Sequence, residues 1–446
     1  MDRDQAKQTS QSPIGIGIIG CGTVGSGVAR LLLDEAAAYS QRVGRSIELR
    51  RVLVLPRHLE TARKTVPDHL LTTNPDDLYN DKSIHIITEL AGGVDRMFPF
   101  VHRALDSGRH VVTANKALLA RKGVELFKLA RDRKVALAFE ASCGGGIPLL
   151  NALKFGLGAN RIDAVFGILN GTCNYILTQM TEHGTAYADA LAEAQRLGFA
   201  EADPTMDVSG ADTLQKLSII ASLAFGVTVP ESAIALEGID KVQAGDIAFA
   251  RELGYRVKLL AIGHRKDGGI VLRVCPAFVP ASDPIAQVHG SFNALSVYGH
   301  AVGHTLFYGH GAGRLPTASA VVGDILNIAG GWYLHAFQNM RIWPDQYSPA
   351  AIADATDVLN RFYLRIDVRD EPGVLAGIAA ALGSEGISIA SVMQHEVGED
   401  QATVPIIVTT HQAAEGAMSR AAKKIGELST TLGPPMCIRI IEMPEG

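Results

Sequence analysis

The sequence predicts an α/β fold: a doubly wound parallel sheet, an inserted α+β segment, and a small ferredoxin-like domain at the C-terminal end. Three observations predict it. A short apolar strand runs into a glycine-rich turn and a helix near the N-terminus. Strands and helices then alternate to about residue 148, and a βαββαβ order follows residue 362. The 446 residues carry 47% hydrophobic and 20% charged side chains, the profile of a soluble globular chain with well-filled cores. A formal charge of −5, with both signs mixed along the chain, supplies no basic stripe for nucleic acid.

The first thirteen residues, MDRDQAKQTSQSP, are polar and lack the apolar core of a signal peptide, so 1–13 is expected to be a disordered tail. No apolar run reaches the length of a membrane span. Cys21, Cys143, Cys173, Cys275 and Cys437 are scattered without a C-x-x-C pair, which suits a reducing, cytoplasmic setting.

Residues 14–33, IGIGIIGCGTVGSGVARLLL, open a dinucleotide-binding domain expected over 14–148. The strand Ile14–Ile19 meets Gly20, Gly22 and Gly25 in the spacing of a Rossmann-type fingerprint. Gly20 permits the tight turn, Gly22 lets the amides of this loop, with Thr23 and Val24, approach a pyrophosphate, and Gly25 lets helix and strand touch. A second strand is expected over Ile47–Leu55. Its end carries Arg57, followed by Arg63 and Lys64, where a carboxylate would select NAD; a cation there favours the 2′-phosphate of NADP, with NAD still open. Ile84–Leu90 reads as a buried strand, Pro99–Ser107 as a helix, His110–Thr113 as a strand, Leu118–Arg131 as a helix and Val135–Ala141 as a strand. Lys116 falls at a strand's carboxyl end, where open α/β sheets place their ligands.

Past Pro148 the rhythm changes, and 149–312 is expected to form a substrate and dimerisation domain. Strand-like lengths occur at Ile162–Leu169, Tyr255–His264, Ile270–Phe278 and Phe292–Tyr298, with helices at Asn174–Glu182, Tyr187–Leu197, Gly210–Phe225 and Asp246–Gly254. His300, His304 and His310 lie among glycines and short strand-like pieces, and read as loop and hairpin residues rather than metal ligands. A glycine turn with Gly311 and Gly313 leads into a helix over Thr317–Ala329, so 313–340 returns to the cofactor domain; 341–361 reads as a linker. From 362 to 446 the strands Ile387–Gln394, Ala402–Thr410 and Met436–Ile441 and the helix Gln412–Leu428 complete a small domain of its own. The turn at Pro372 and Gly373 opens a helix where a small amino acid's carboxylate could meet backbone amides.

The stretch 197–216, LGFAEADPTMDVSGADTLQK, gathers Glu201, Asp203, Asp207 and Asp212 ahead of Lys216. Crowded carboxylates repel unless a cation joins them, so the run suits a bound ammonium group; a solvated acidic turn is the alternative. Ser209 reads as a helix N-cap with Asp212 in the capping-box position, and Asp212 and Lys216 share a helix face at i and i+4.

Taken together, IGIIGCGTVGSGV, VTANKALLA, EASCGGGIPLL, GILNGTCNYILT, LGFAEADPTMDVSGADTLQKLSIIASLAFG and YGHGAGRLPTASAVVGD resemble the homoserine dehydrogenase family over about residues 14–330. The segment from 362 resembles an ACT domain, and no aspartate kinase segment precedes the match, which points to the monofunctional form. The resemblance implies NAD(P)-dependent interconversion of aspartate 4-semialdehyde and homoserine. On the family pattern Lys216 is the general acid, Asp212 holds it charged and oriented, and Lys116 lies between cofactor and substrate. Glu201 grips the substrate ammonium group, Asp207 supports its amine or hydroxyl end, and Gly198 and Gly313 contact the cofactor through backbone. EASCGGGIP resembles a sodium loop with carbonyl ligands falling on Glu140, Cys143, Gly145 and Ile147; relatives usually carry Val at the Cys143 position, and a glycine-rich connection without an ion is the alternative. The resemblance further implies threonine feedback through the ACT domain and a homodimer or homotetramer. The competing readings are a non-catalytic amino-acid sensor and another ACT-bearing dehydrogenase such as phosphoglycerate dehydrogenase. Intact Lys116, Glu201, Asp212 and Lys216 speak against the sensor; for the second, no matching His–Glu and Arg constellation is present.

Overall fold

The run Ile14–Ile19 buries both faces of its strand, and Ile84–Glu89 does so at every position but the half-buried His85, as a parallel sheet covered on two sides requires. The computed structural model describes residues 12–394 and 403–444; the expected tail lies outside the described residues up to position 11, as does Ala402. The strands β1 (Ile14–Ile19), β2 (Ile47–Leu53), β3 (Leu71–Thr72), β4 (Ile84–Glu89), β5 (His110–Thr113) and β6 (Leu137–Ala138) form an all-parallel sheet in the order β3-β2-β1-β4-β5-β6. The order reverses between β1 and β4, and the carboxyl ends of these strands are where such a sheet takes its ligand. Two expectations shift here. The strand expected over Val135–Ala141 shrinks to β6, because Glu140–Ser142 turns in a 3₁₀ helix. The helix expected to start at Pro99 begins at Val94, so the proline sits inside it, one turn in, and removes a single ladder bond.

The chain divides into two compact units. The first takes in residues up to Ala159, Ser218–Val229 and Gly309–Pro349; the second takes in Asn160–Leu217, Pro230–Tyr308 and the chain from Ala350. The 341–361 segment is therefore not a bare connector. Trp343 is fully buried in the first unit against Phe337, Tyr333 and Phe155, and Asp345 pairs with Arg131 at 2.8 Å, whereas residues from Ala350 join the second unit.

In the second unit β7 (Ile162–Ile168), β8 (Tyr255–Lys266), β9 (Gly269–Pro280), β10 (Phe292–Gly299) and β11 (Gly303–His310) build a mixed sheet. Asp267 and Gly268, both at positive φ, supply the two-residue turn that closes the β8–β9 hairpin. The C-terminal strands β12 (Leu359–Arg369), β13 (Ile389–Met393), β14 (Thr403–Thr410) and β15 (Met436–Ile440) carry the helices Val374–Ser384 and Glu415–Gly426, giving the expected βαββαβ order. Their sheet continues into that of the preceding segment. β15 pairs with β12 on one side and lies parallel to β9 on the other, so one sheet runs β11-β10-β7-β8-β9-β15-β12-β14-β13.

Buried ions cement that joint. Glu415 accepts from Arg439 at 2.7 and 2.9 Å and from Asn360 at 2.8 Å, and also pairs with Arg273 of β9. Asp246, with no exposed surface, accepts from Tyr363 Oη and Arg365 Nε of β12, each at 2.9 Å, and from the Gln243 N–H at 2.9 Å. A buried carboxylate is tolerated only while its donors stay in place. Arg365→Ala is expected to lower stability by roughly 3–5 kcal/mol, read as an earlier denaturant midpoint, and adding Asp246→Asn should recover much of the loss. An unchanged midpoint for Arg365→Ala would show that the pair carries no weight.

Candidate active site

In the first unit the glycine loop has the shape a dinucleotide needs. Gly20 takes φ +93°, and a Cβ on it would lie 3.0 Å from Ala91; a Cβ on Gly25 would overlap the Gly20 carbonyl. Gly22 has open space around its Cβ position, so backbone and ligand can approach there. The helix Thr23–Asp34 starts at Gly22 with no side chain capping its amides, and Gly22 and Thr23 are exposed, with Val24 half-buried behind them. Uncapped helix amides beside a glycine turn are an anion site, so these residues fit a pyrophosphate. Past β2, Arg57 stands exposed in the turn Pro56–His58, its Nε donating to His58 Nε2 at 3.2 Å, and Arg63 is engaged by Asp68 at 2.8 Å and by Glu60. Gly313, at φ +128°, starts the helix Arg314–Ala329, which packs so closely on the first helix that a Cβ on Gly27 would lie 2.8 Å from the Arg314 carbonyl. Lys116 is half-buried as the first residue of the helix Lys116–Asp132, capped by Asn115 Oδ1, which accepts the Leu118 N–H at 3.1 Å.

The residues expected to form a sodium loop lie in the same unit. Gly144 and Gly145 take φ +74° and +54°, and fold the chain sharply between Cys143 and Ile147. The Cys143 side chain is buried, leaving its carbonyl as the usable donor. The Glu140 carboxyl group turns inward: Oε1 accepts the Leu150 N–H at 2.8 Å, and the Glu140 N–H donates to Asp324 at 2.8 Å. Burial pushes Glu140 up to about 7 and Asp324 up to about 6, with the nearby Lys154 ammonium opposing both. Lys154 is boxed by the rings of Phe139, Phe155, Tyr333 and Trp343 at 4.8–5.4 Å. The carboxylate of Glu140 thus belongs to this interior cluster.

In the second unit, Lys216 of the helix Ala211–Phe225 reaches the end of β7. Its Nζ donates to Asp212 Oδ2 at 2.8 Å and to the Leu169 carbonyl at 2.6 Å. Asn170, which sequence reasoning missed, joins the acids. Its Nδ2 donates to Asp207 at 2.8 Å and to Asp212 at 2.9 Å, while its Oδ1 caps the helix Gly171–His183 by accepting the Cys173 N–H at 2.8 Å. An Asn between a strand and Gly-Thr is an N-cap signal, and that signal was present in GILNGTCNY. Thr172, also missed, donates to the Phe199 carbonyl at 2.5 Å and lies 3.3 Å from Asp207. Burial raises the Asp207 carboxyl group above its usual range; the Asn170 hydrogen bond opposes this and the charge of Asp212 adds to it.

The acidic run does not act as one cluster. Asp203 is exposed and holds its own turn, accepting from the Thr205 N–H at 3.1 Å and hydroxyl at 2.6 Å. Glu201 is exposed on the loop after Gly198, which takes φ +75°. Ser209 does cap the helix start, its Oγ accepting the Ala211 N–H at 3.4 Å, but the expected capping box does not close. The Ser209 N–H is spent on Thr205 at 3.0 Å, and the Asp212 carboxylate turns to Lys216 and Asn170. The histidines have structural work: His300 Nδ1 accepts the Arg161 N–H at 3.0 Å, His304 bonds Ser296 at 3.0 Å, and the His310 carbonyl accepts the Gly146 N–H at 3.0 Å.

Comparison with known proteins matches residues 20–140 to the NAD-binding domain of homoserine dehydrogenase, residues 148–326 to homoserine dehydrogenase, and residues 362–428 to the ACT domain. The homoserine dehydrogenase of Neisseria gonorrhoeae is 43% identical over 96% of this chain and 98% of its own, and that of Pseudomonas aeruginosa is 40% identical over 97% and 99%. A crystal structure of a homoserine dehydrogenase from Thiobacillus denitrificans superposes with a TM-score of 0.89 at 41% identity, covering 96% of this chain and 98% of that one. A hyperthermophilic archaeal homoserine dehydrogenase in complex with NADPH aligns at a TM-score of 0.60 and 25% identity, over 71% and 97%.

The raised Asp207 carboxyl group gives a sign that can be tested. Its folded value lies above its unfolded one, so its ionisation destabilises the ligand-free protein at neutral pH and stops doing so below the ordinary carboxylate range. Asp207→Asn is expected to raise the melting midpoint at neutral pH, with the gain shrinking as pH falls through that window. A gain that grows on acidification would contradict the assignment.

Proposed function

Because this chain belongs to the homoserine dehydrogenase family of NAD(P)-dependent oxidoreductases, we propose that its reaction, the interconversion of homoserine and aspartate 4-semialdehyde, is run by the Lys216–Asp212–Asn170 group. The observation that carries this reading is the fixing of Lys216 Nζ between Asp212 at 2.8 Å and the Leu169 carbonyl at 2.6 Å. Two acceptors on one ammonium hold the long side chain in a single place, which a proton donor requires. Lys216 protonates the oxygen of the semialdehyde during reduction, and takes the homoserine hydroxyl proton in the reverse direction. Asp212 orients it, and Asn170 orients Asp212. Glu201 holds the substrate's α-ammonium group and Asp207 its amine or hydroxyl end; a cation there relieves the charge that burial opposes on Asp207.

The dinucleotide supplies or accepts the hydride. The loop at Gly20, Gly22, Thr23, Val24 and Gly25 would hold its pyrophosphate, with Gly198 and Gly313 as further backbone contacts and Lys116 toward the nicotinamide. Arg57 supports NADP over NAD, and the NADPH complex of the archaeal relative is in keeping with that. Neutral carbonyls at Glu140, Cys143, Gly145 and Ile147 suit a hard cation such as sodium, in a structural role. The helix Val374–Ser384 begins at Gly373, at φ +93° and without a side-chain cap, which supports threonine as an effector at its amides. The edge strand β11 supports assembly into a homodimer or homotetramer through the middle of the chain. Among the described residues no helix is long and apolar enough to cross a membrane, in keeping with a cytoplasmic enzyme.

Homoserine with NADP at alkaline pH is expected to yield reduced cofactor, followed by its absorbance; silence with both NADP and NAD would sink the proposal. Lys216→Ala should lose about 10²–10⁴-fold in kcat with a smaller change in the homoserine KM, and near-normal turnover would remove Lys216 from its role. Arg57→Ala is expected to raise the KM for NADP more than that for NAD. Threonine at millimolar level should slow the full chain, and an unaffected rate would end the effector reading.

A further inference from the structure

The carboxyl end of β4 hides a carboxylate that the sequence reading passed over. Glu89 is the last residue of that strand and its side chain is fully buried. Its Oε1 accepts the N–H groups of Ala91 at 3.0 Å and Gly92 at 2.9 Å, which curls the chain back over the strand end. Its Oε2 accepts the Thr113 hydroxyl at 2.8 Å, from the end of the neighbouring strand β5. Thr113 Oγ1 in turn accepts the Asn115 N–H at 3.0 Å. Asn115 caps the helix that begins at Lys116, and its Nδ2 returns to the Gly93 carbonyl at 2.9 Å. The hydrogen bonds close a ring, from Glu89 through the 91–93 loop to Asn115, Thr113 and back.

That ring touches the dinucleotide turn as well. Gly20 lies so close to Ala91 that a Cβ on it would come within 3.0 Å of the Ala91 N, Cα and Cβ atoms. One side chain therefore ties together the glycine turn, the loop after β4 and the backbone that carries Lys116, all within the first unit. A buried carboxylate costs several kcal/mol unless donors surround it. Here three converge on it, two of them backbone amides that an apolar replacement would leave unpaired.

We propose that Glu89 is a positioning residue for the dehydrogenase reaction. Through Ala91 and Gly92 it fixes the loop on which the dinucleotide turn packs, and through Thr113 and Asn115 it fixes where Lys116 starts its helix. The proposal rests on the reading above of the Gly20–Gly25 site and of Lys116.

Two variants break or reverse the second link while sparing the first. Thr113→Val removes the hydroxyl between Glu89 and Asn115. Glu89→Gln keeps an oxygen for the Ala91 and Gly92 amides but turns a donor toward Thr113. Both are expected to bind NADPH, followed by its fluorescence, within about twofold of the parent while losing roughly ten- to a hundredfold in kcat. Thr113→Ser, which restores the hydroxyl, should recover kcat. A merely structural role would lower the melting midpoint and leave kcat per folded molecule unchanged, and that result overturns the proposal. If Thr113→Val does not fold, Glu89→Gln decides alone, and parental kcat in it is equally fatal. Lys116→Ala, assayed beside them, keeps the two ideas apart. Full activity there removes Lys116 from the site, whereas loss there with unaffected Thr113→Val and Glu89→Gln removes only Glu89.

Discussion

The contact on which the proposed chemistry depends is the one between Lys216 and Asp212. A lysine carries four flexible bonds, and holding its end still costs about 2 kcal/mol of side-chain entropy. The helix Ala211–Phe225 meets that cost locally, by placing a carboxylate one turn before the lysine, and the Leu169 carbonyl at the end of β7 adds a second anchor. Both side chains are only slightly exposed, at 12% and 14%, so solvent screens their attraction far less than it would on an open helix face. Asn170 then carries the arrangement outward: one end of its amide caps a helix and the other bridges Asp212 to Asp207.

What could be read in the sequence was whatever is decided by neighbours. The Gly20–Gly25 turn and the i and i+4 pairing of Asp212 with Lys216 each involve residues a few positions apart. Their geometry follows from backbone rules alone. The strands and helices of both sheets were legible for the same reason, mostly to within a few residues at their ends. What stayed hidden depends on partners distant in sequence. Asn170 meets Asp207 and Asp212 from 37 and 42 positions away, and the Glu140 amide meets Asp324 across 184. Ser209 shows how a local rule loses. Asp212 could have served a capping box, but a charged amine and a buried amide were nearer and stronger partners than a backbone N–H already bonded to Thr205.

The two buried carboxylates of the second unit's joint, Asp246 and Glu415, differ in kind from the acids around Lys216. Each has its donors in place: Tyr363, Arg365 and Gln243 for Asp246, and Arg439, Arg273 and Asn360 for Glu415. Asp207 by contrast is held by neutral groups next to a second negative charge, and burial raises it. Saturated acids hold a fold together; an acid left wanting a cation is equipped to receive one.

The strand β15 has one further consequence. It is wedged between β9 and β12, yet it is the last strand of the described chain. A ribosome delivers the polypeptide from its N-terminus, so the edge of β9 at Ala277 and Phe278 must wait open, and Arg273 without Glu415, until Glu415 and then β15 have emerged. Open edges of apolar strands invite wrong pairings during that wait. The nascent chain is thus exposed to misassembly in the interval between the emergence of β9 and that of β15. Shortening the chain ahead of Met436 would also do more than remove one strand: it would prolong that unfinished state indefinitely.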